Sequence, residues 1–226
     1  MIRSRKLLIS LLLLAVSISF AVFAQESTEL SPCDTALICI NLDEMTVGFA
    51  GTGQPFPEEW LTLDGRGVVE ANGDLISAAR DAGVLIIYLY GTYTYLEPGQ
   101  VMMTFADQIA PQEGDILIGR PGPNLNVFTD TILLETLENR GIRNLIFSGL
   151  NTAYCISKSS RFGLSLGFDV TVVADAHSGG APGIAKSYNE WWPSLSISIV
   201  PMAELDFAAL CAEGGDSPVV VEEDGS

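Results

Sequence analysis

The chain has 226 residues, 48% of them hydrophobic and 17% charged, which is enough apolar material for one sizeable core and too much for a disordered chain. It carries 28 acidic residues against 11 basic ones, a net charge of −17, and such a surface excludes nucleic acid or an anionic membrane as its main partner. Solubility is the plainest consequence of that charge.

The N-terminus stands apart. Arg3, Arg5 and Lys6 precede an apolar run over residues 7–24 that ends in Val22-Phe23-Ala24 before the polar QESTE, so residues 1–24 read as a signal peptide cut after Ala24. Left uncut, the run is near the shortest length that spans a bilayer and would anchor the chain, the one case in which membrane contact is expected. Either way the domain is exported, to a secreted, periplasmic or extracellular location. Cleavage removes three basic and no acidic residues, leaving 8 against 28 and a net charge of −20.

Beyond the leader, ALICINL at 36–42 is a short apolar strand, followed by a connection over 43–67 that contains GTGQPFPEEW. Residues 68–81 repeat apolar positions at helical spacing through Val68, Val69, Leu75, Ile76 and Ala79, with Gly83 as the stop. VLIIYLY at 84–90 is β-branched and aromatic and predicts a strand, as does DILIG at 115–119. Between them lies a loop with one short helix near MTFADQI. A helix is predicted over 129–140, starting at a capping Thr or Asp and stopping at Gly141. NLIFSGL is the next strand, AYCISKSSRFGLSLG a helix, FDVTVVAD a strand, residues 194–200 a weaker strand and 202–211 a last helix. The domain spans 33–212, and an acidic tail occupies 213–226.

Continuous apolar strands alternating with helices predict an α/β fold: a three-layer, doubly wound, mostly parallel six-stranded sheet, Rossmann-like, with helices on both faces. In such sheets function gathers beyond the carboxyl ends of the strands. Asn41 to Asp43, Tyr90, Arg120, Leu150 to Cys155 and Asp175 to His177 all fall there.

Four cysteines in an oxidising compartment allow three full pairings. Cys39 sits inside an apolar strand and Cys155 opens a helix, whereas Cys33 and Cys211 lie near the two ends of the domain, where termini come close. A Cys33–Cys211 disulfide is therefore expected, and it leaves Cys155 free. A thiol at a helix N-terminus sits in the positive end of the dipole, which favours its nucleophilic thiolate form.

The segment SGLNTAYCISKSSRFGLSLGFDVTVVADA resembles the signature of the isochorismatase-like cysteine hydrolases, in which a Gly-hydrophobic-x-Thr-x-x-Cys turn carries the nucleophile. The likeness extends upstream through TALICINLDEM and GDILIGRPGPNLNVFTDTILLETLENRGI and covers most of 35–210. It implies hydrolysis of a small amide or related C–N bond, no cofactor, a small-molecule substrate or ligand as partner and a homo-oligomer. It also implies a cis peptide at Leu150-Asn151 in an oxyanion turn that includes Thr152 and Tyr154.

The family pattern has an Asp on the first strand and a Lys after the third, and here Asn41 and Arg120 stand in those places. An amide is no general base, and a guanidinium with a pKa above ~12 shuttles no proton. Asp43, two residues on, and His177, the only histidine, are alternative bases. No catalytic metal is expected, because family members that hold zinc use an Asp and two His, and IIYLYGTY has no Asp-x-His. Tyr90, Tyr93, Tyr95, Phe128 and Tyr154 either line a small-molecule pocket or pack ordinarily. Two functions stay open: a cysteine hydrolase with Cys155, Arg120 and Asn41 as its working residues, and a catalytically silent pseudoenzyme that keeps the fold to bind a small molecule or partner. Redox chemistry at a free Cys155 is a third.

Overall fold

The computed structural model describes residues 33–43, 62–63, 66–92, 105–121, 124–179 and 181–214. The leader at 1–24, Tyr93, Tyr95 and the tail beyond Gly214 lie outside the described residues.

Six strands form one sheet: β1 (Thr35–Ile40), β4 (Leu85–Thr92), β5 (Ile116–Pro121), β6 (Asn144–Leu150), β7 (Asp169–Ser178) and β8 (Ser198–Val200). Their order is β5-β4-β1-β6-β7-β8, and every pairing is parallel. A separate antiparallel pair, β2 (Thr62–Leu63) and β3 (Arg66–Gly67), precedes the first helix. The helices are α1 (Val68–Asp81), α2 (Leu133–Asn139), α3 (Ser157–Ser165), α4 (Ile184–Trp191) and α5 (Phe207–Gly214).

Parallel strands covered on both faces bury both sides of their pleat, which is why the strands are apolar throughout. In β1, Ala36, Ile38 and Ile40 enter one core with Leu133, Leu137 and Trp192, while Leu37 and Cys39 enter the other with Leu75, Ile76 and Phe207. Thus α2, α3 and α4 cover one face, and α1 and α5 the other. The layers are those predicted, with an all-parallel sheet where a mostly parallel one was expected.

Several boundaries moved, each for a local reason. Helix α2 begins at Leu133 rather than 129, because Asp130 adopts a left-handed φ of 55° and the Leu133 N–H is taken by the Thr131 hydroxyl at 3.3 Å. The last strand shrinks to Ser198–Val200, since Trp192–Leu195 winds into a 3-10 turn closed by Ser196 at φ 65°. The last helix starts at Phe207 and runs through Gly214, so the tail starts later than 213. Helix α4 was not predicted.

The largest departure is in β7, which continues to Ser178 and so makes His177 a strand residue rather than a loop residue. Phe147 pairs with Val172, yet Gly149 pairs with His177: two steps along β6 match five along β7. The extra residues form a bulge, a device that re-aims side chains beside active sites. Its carbonyls need partners, and side-chain amides from both layers supply them. Asn72 of α1 donates to the Ala176 carbonyl at 2.9 Å, and Asn189 of α4 donates to the Ala174 carbonyl at 2.8 Å. The Asp175 carboxylate accepts the Met202 N–H at 2.8 Å.

A disulfide joins Cys33, just before β1, to Cys211 in α5, across 178 residues of chain. Closing so long a loop removes much of the unfolded chain's freedom. Replacing the pair, Cys33→Ser with Cys211→Ser, is expected to lower stability by about 2–5 kcal/mol in guanidinium titrations. A change below about 0.5 kcal/mol would mean that the ends are held by packing alone.

Candidate active site

The sheet order reverses between β1 and β6, and at that crevice a doubly wound fold collects its functional groups. Asn41 follows β1 in a left-handed conformation (φ 54°), which Asn tolerates, and its N–H donates to the Leu89 carbonyl at 2.8 Å. Gly149 at the end of β6 has φ 101°, and a Cβ there would lie 2.1 Å from the Ile40 carbonyl oxygen. Only glycine lets the two strand ends approach so closely. The Leu150–Asn151 peptide is cis, and Thr152–Ile156 forms a π-helical turn before α3. Cys155 therefore sits in a π turn ahead of the α-helix, a geometry often found at functional sites.

Hydrogen-bond chemistry fixes the orientation of the Asn41 amide. Its Oδ1 accepts from Arg120 Nη2, and its Nδ2 donates to the Leu150 carbonyl at 3.0 Å and to Cys155 Sγ at 3.4 Å. A guanidinium only donates and a carbonyl only accepts, so this amide cannot be flipped. Arg120 at the end of β5 also donates through Nη1 to the Asn124 carbonyl and to Cys155 Sγ, the latter at 3.5 Å. Two N–H donors thus converge on a sulfur that is 3% exposed, and neither can accept a proton.

The alternative bases fare differently. His177 is not available to the thiol: Thr152 Oγ1 is 2.9 Å from its Nδ1, and Asn189 Oδ1 is 2.9 Å from its Nε2. Asp43 is buried beyond the end of β1, which stops at Ile40, and Asn41 between them is left-handed.

Phe128 is not a pocket residue. It is 7% exposed and packs against the exposed Phe162 and the core residue Phe168, at centroid distances of 5.5 and 6.5 Å. Tyr90 is partly buried near the end of β4, and Tyr154, beside Cys155, is 49% exposed. Leu150 and Thr152 are buried, and Asn151 packs so closely on Gly179 that a Cβ there would come within 2.0 Å of its Oδ1. The other free thiol, Cys39, is fully buried and pushed up to about 12 by that burial.

Residues 35–186 match the family model described as the isochorismatase domain. The chain belongs to the isochorismatase family. It is 27% identical over 199 residues to the ureidoacrylate amidohydrolase RutB of Klebsiella pneumoniae, covering 71% of this chain and 80% of that one. A shorter segment of 93 residues is 39% identical to the RutB of Stutzerimonas stutzeri, covering 41% of this chain and 37% of that relative. Among solved structures, an isochorismatase family protein from Desulfovibrio vulgaris superposes with a TM-score of 0.64 at 22% identity, covering 76% and 95% of the two chains. The N-carbamoylsarcosine amidase of Thermoplasma acidophilum does so at 0.62 and 17%, covering 76% and 98%. These likenesses carry the fold.

Sequence reasoning about this isochorismatase-family chain missed Asn72 and Asn189, whose partners are bulge carbonyls that no local pattern announces. It also left α4 out. His177 is 1% exposed, and burial lowers it from its ordinary 6.5 to about 4, against smaller opposing effects of Asn189 and Asp175. Between those values the unfolded chain binds the extra proton, so His177's contribution is intact above pH ~6.5 and is lost as pH falls toward ~4. The loss is about 3 kcal/mol. Unfolding titrations at pH 7 and pH 4.5 should show that fall, and His177→Gln should flatten it; an unchanged slope in the variant would assign the fall to other groups.

Proposed function

We propose that the chain hydrolyses a C–N bond of a small amide or ureido compound, with Cys155 as the nucleophile. One observation carries this: Asn41 and Arg120, from the ends of two different strands, both aim N–H donors at the Cys155 sulfur. That environment complements an anionic sulfur better than a neutral S–H, for which it supplies no acceptor. The names of the relatives support a ureido or carbamoyl group, since one acts on ureidoacrylate and a structural neighbour on N-carbamoylsarcosine.

In this proposal the sulfur attacks the carbonyl carbon, the C–N bond breaks, and the acyl-sulfur intermediate is hydrolysed by water. The turn over Asn151–Cys155 would face the oxyanion. With Asn41 and Arg120 where the family resemblance expects Asp and Lys, neither described side chain bonded to the sulfur shuttles a proton, and the leaving nitrogen takes its proton from water. Positioned acid–base groups contribute about 10²–10⁴-fold, and turnover should fall short by about that factor. The same lack of a base supports the second function, a pseudoenzyme that binds small molecules. Export is part of the proposal, supported by the leader at 1–24 and by the Cys33–Cys211 disulfide.

Ammonia release from a panel of ureido and carbamoyl compounds, with Cys155→Ala as control, tests hydrolysis, and iodoacetamide alkylation tests the thiol. With the Cys39 thiol wholly enclosed and pushed up to about 12, and Cys33 and Cys211 bonded, one label per folded chain is expected at Cys155, lost in Cys155→Ala. Arg120→Met should slow labelling at pH 7 about 10–100-fold, the worth of one charge-assisted hydrogen bond. Asn41→Asp should slow it too, because it removes a donor and sets a carboxylate beside the sulfur and the Leu150 carbonyl. Faster labelling or faster turnover in Asn41→Asp would mean that a base was the missing part, and no Cys155-dependent turnover in any chain would leave the binding function.

A further inference from the structure

We infer that Asn189, His177 and Thr152 form a hydrogen-bond relay with a single allowed direction, which positions the turn carrying Cys155. It deepens the hydrolase proposal and rests on it for one kinetic readout alone.

The direction follows from four groups taken in order. The Ala174 carbonyl, released from ladder pairing by the β7 bulge, can only accept, so Asn189 turns Nδ2 toward it at 2.8 Å. That places Asn189 Oδ1, an acceptor, against His177 Nε2 at 2.9 Å, and Nε2 must carry the ring's proton. Burial keeps the imidazole neutral, so Nδ1 has no hydrogen and can only accept. The Thr152 hydroxyl, 2.9 Å away, must therefore point its hydrogen at Nδ1. No member of the chain can be reversed without leaving a buried group unpaired, a cost of about 1–3 kcal/mol.

Placement gives the relay its role. Thr152 is fully buried, directly follows the residue after the cis peptide, and opens the π turn three residues before Cys155. Holding its hydroxyl fixes its χ1 and with it the first residue of that turn. His177 is itself held edge-on against Trp192, with ring centroids 5.3 Å apart. The bulge sets His177 opposite Gly149, so its imidazole adds a hydrogen-bonded link from helix α4 to the turn. None of the three residues is hydrogen-bonded to the sulfur; they are positioning residues.

Because the chain has one histidine, labelling with ¹⁵N-histidine gives a single imidazole in the NMR spectrum of the intact protein. At pH 7 the expected state is a protonated Nε2 and a bare Nδ1. Thr152→Val, which keeps the shape and removes the donor, should move the Nδ1 resonance and leave Nε2 protonated. The same variant should slow Cys155 alkylation about tenfold, Thr152→Ser should restore it to within about twofold, and any hydrolytic kcat should fall with KM unchanged. A wild-type imidazole protonated on Nδ1, or charged at pH 7, overturns the inference, as does alkylation in Thr152→Val within about twofold of wild type. The spectrum and the alkylation need no substrate, so failure to find hydrolysis leaves this test intact.

Discussion

The amide of Asn41 is the point on which the candidate site turns. It ties the end of β1 to the end of β6 through the Leu150 carbonyl, receives the Arg120 guanidinium from β5, and presents its remaining hydrogen to Cys155. The contacts with Leu150 and Cys155 depend on the close approach of the ends of β1 and β6 that Gly149 permits. A side chain with a donor on one side and an acceptor on the other is what this junction requires. A carboxylate there would set oxygen against oxygen at Leu150, so the presence of Asn and the shape of the junction explain each other.

A second constraint acts from the neighbouring strand. The bulge in β7 displaces its tip relative to β6 and frees carbonyls that would otherwise sit in the ladder. Those carbonyls are met from opposite layers, by Asn72 from α1 and Asn189 from α4, so the bulge is clamped between the two helical layers. Unpaired backbone oxygens at this depth would be costly, and the clamps turn that demand into geometry. His177 occupies its position because of them.

The two constraints together shape the chemistry. Among the described residues, Asn41 and Arg120 bring donors to the sulfur, and both nitrogens of His177 have partners. The two side chains seen to reach the sulfur, Asn41 and Arg120, donate hydrogen bonds to it and can take up no proton. The protein's acidic surface and its disulfide are features of the whole chain and bear on where such chemistry takes place.

Much of the framework was legible in the residues. Helix α1 was marked by apolar residues at 68, 75, 76 and 79 followed by Gly83, β6 by NLIFSGL, and the parallel class by strands apolar at every position, because one-dimensional spacing reports which faces are buried. Gly-Leu-Asn-Thr-Ala-Tyr-Cys identified the nucleophile's turn, and the two ends of the domain pointed to the Cys33–Cys211 pair. Helix α2's late start was hidden by a left-handed Asp130, and α4 by its shortness, since Ile184–Trp191 has only eight residues in which to show its amphipathic face. The place of Phe128 in the core was hidden because its position near β5 says nothing of which face it enters. Composition, order of elements and the motif that holds Cys155 are properties of the chain read in one dimension, and the sequence by itself determined them. Which nitrogen of Asn41 faces the sulfur, where His177 spends its two nitrogens and which amides hold the β7 bulge were decided only by tertiary structure, because each depends on partners 12 to 114 residues away meeting at a fixed distance.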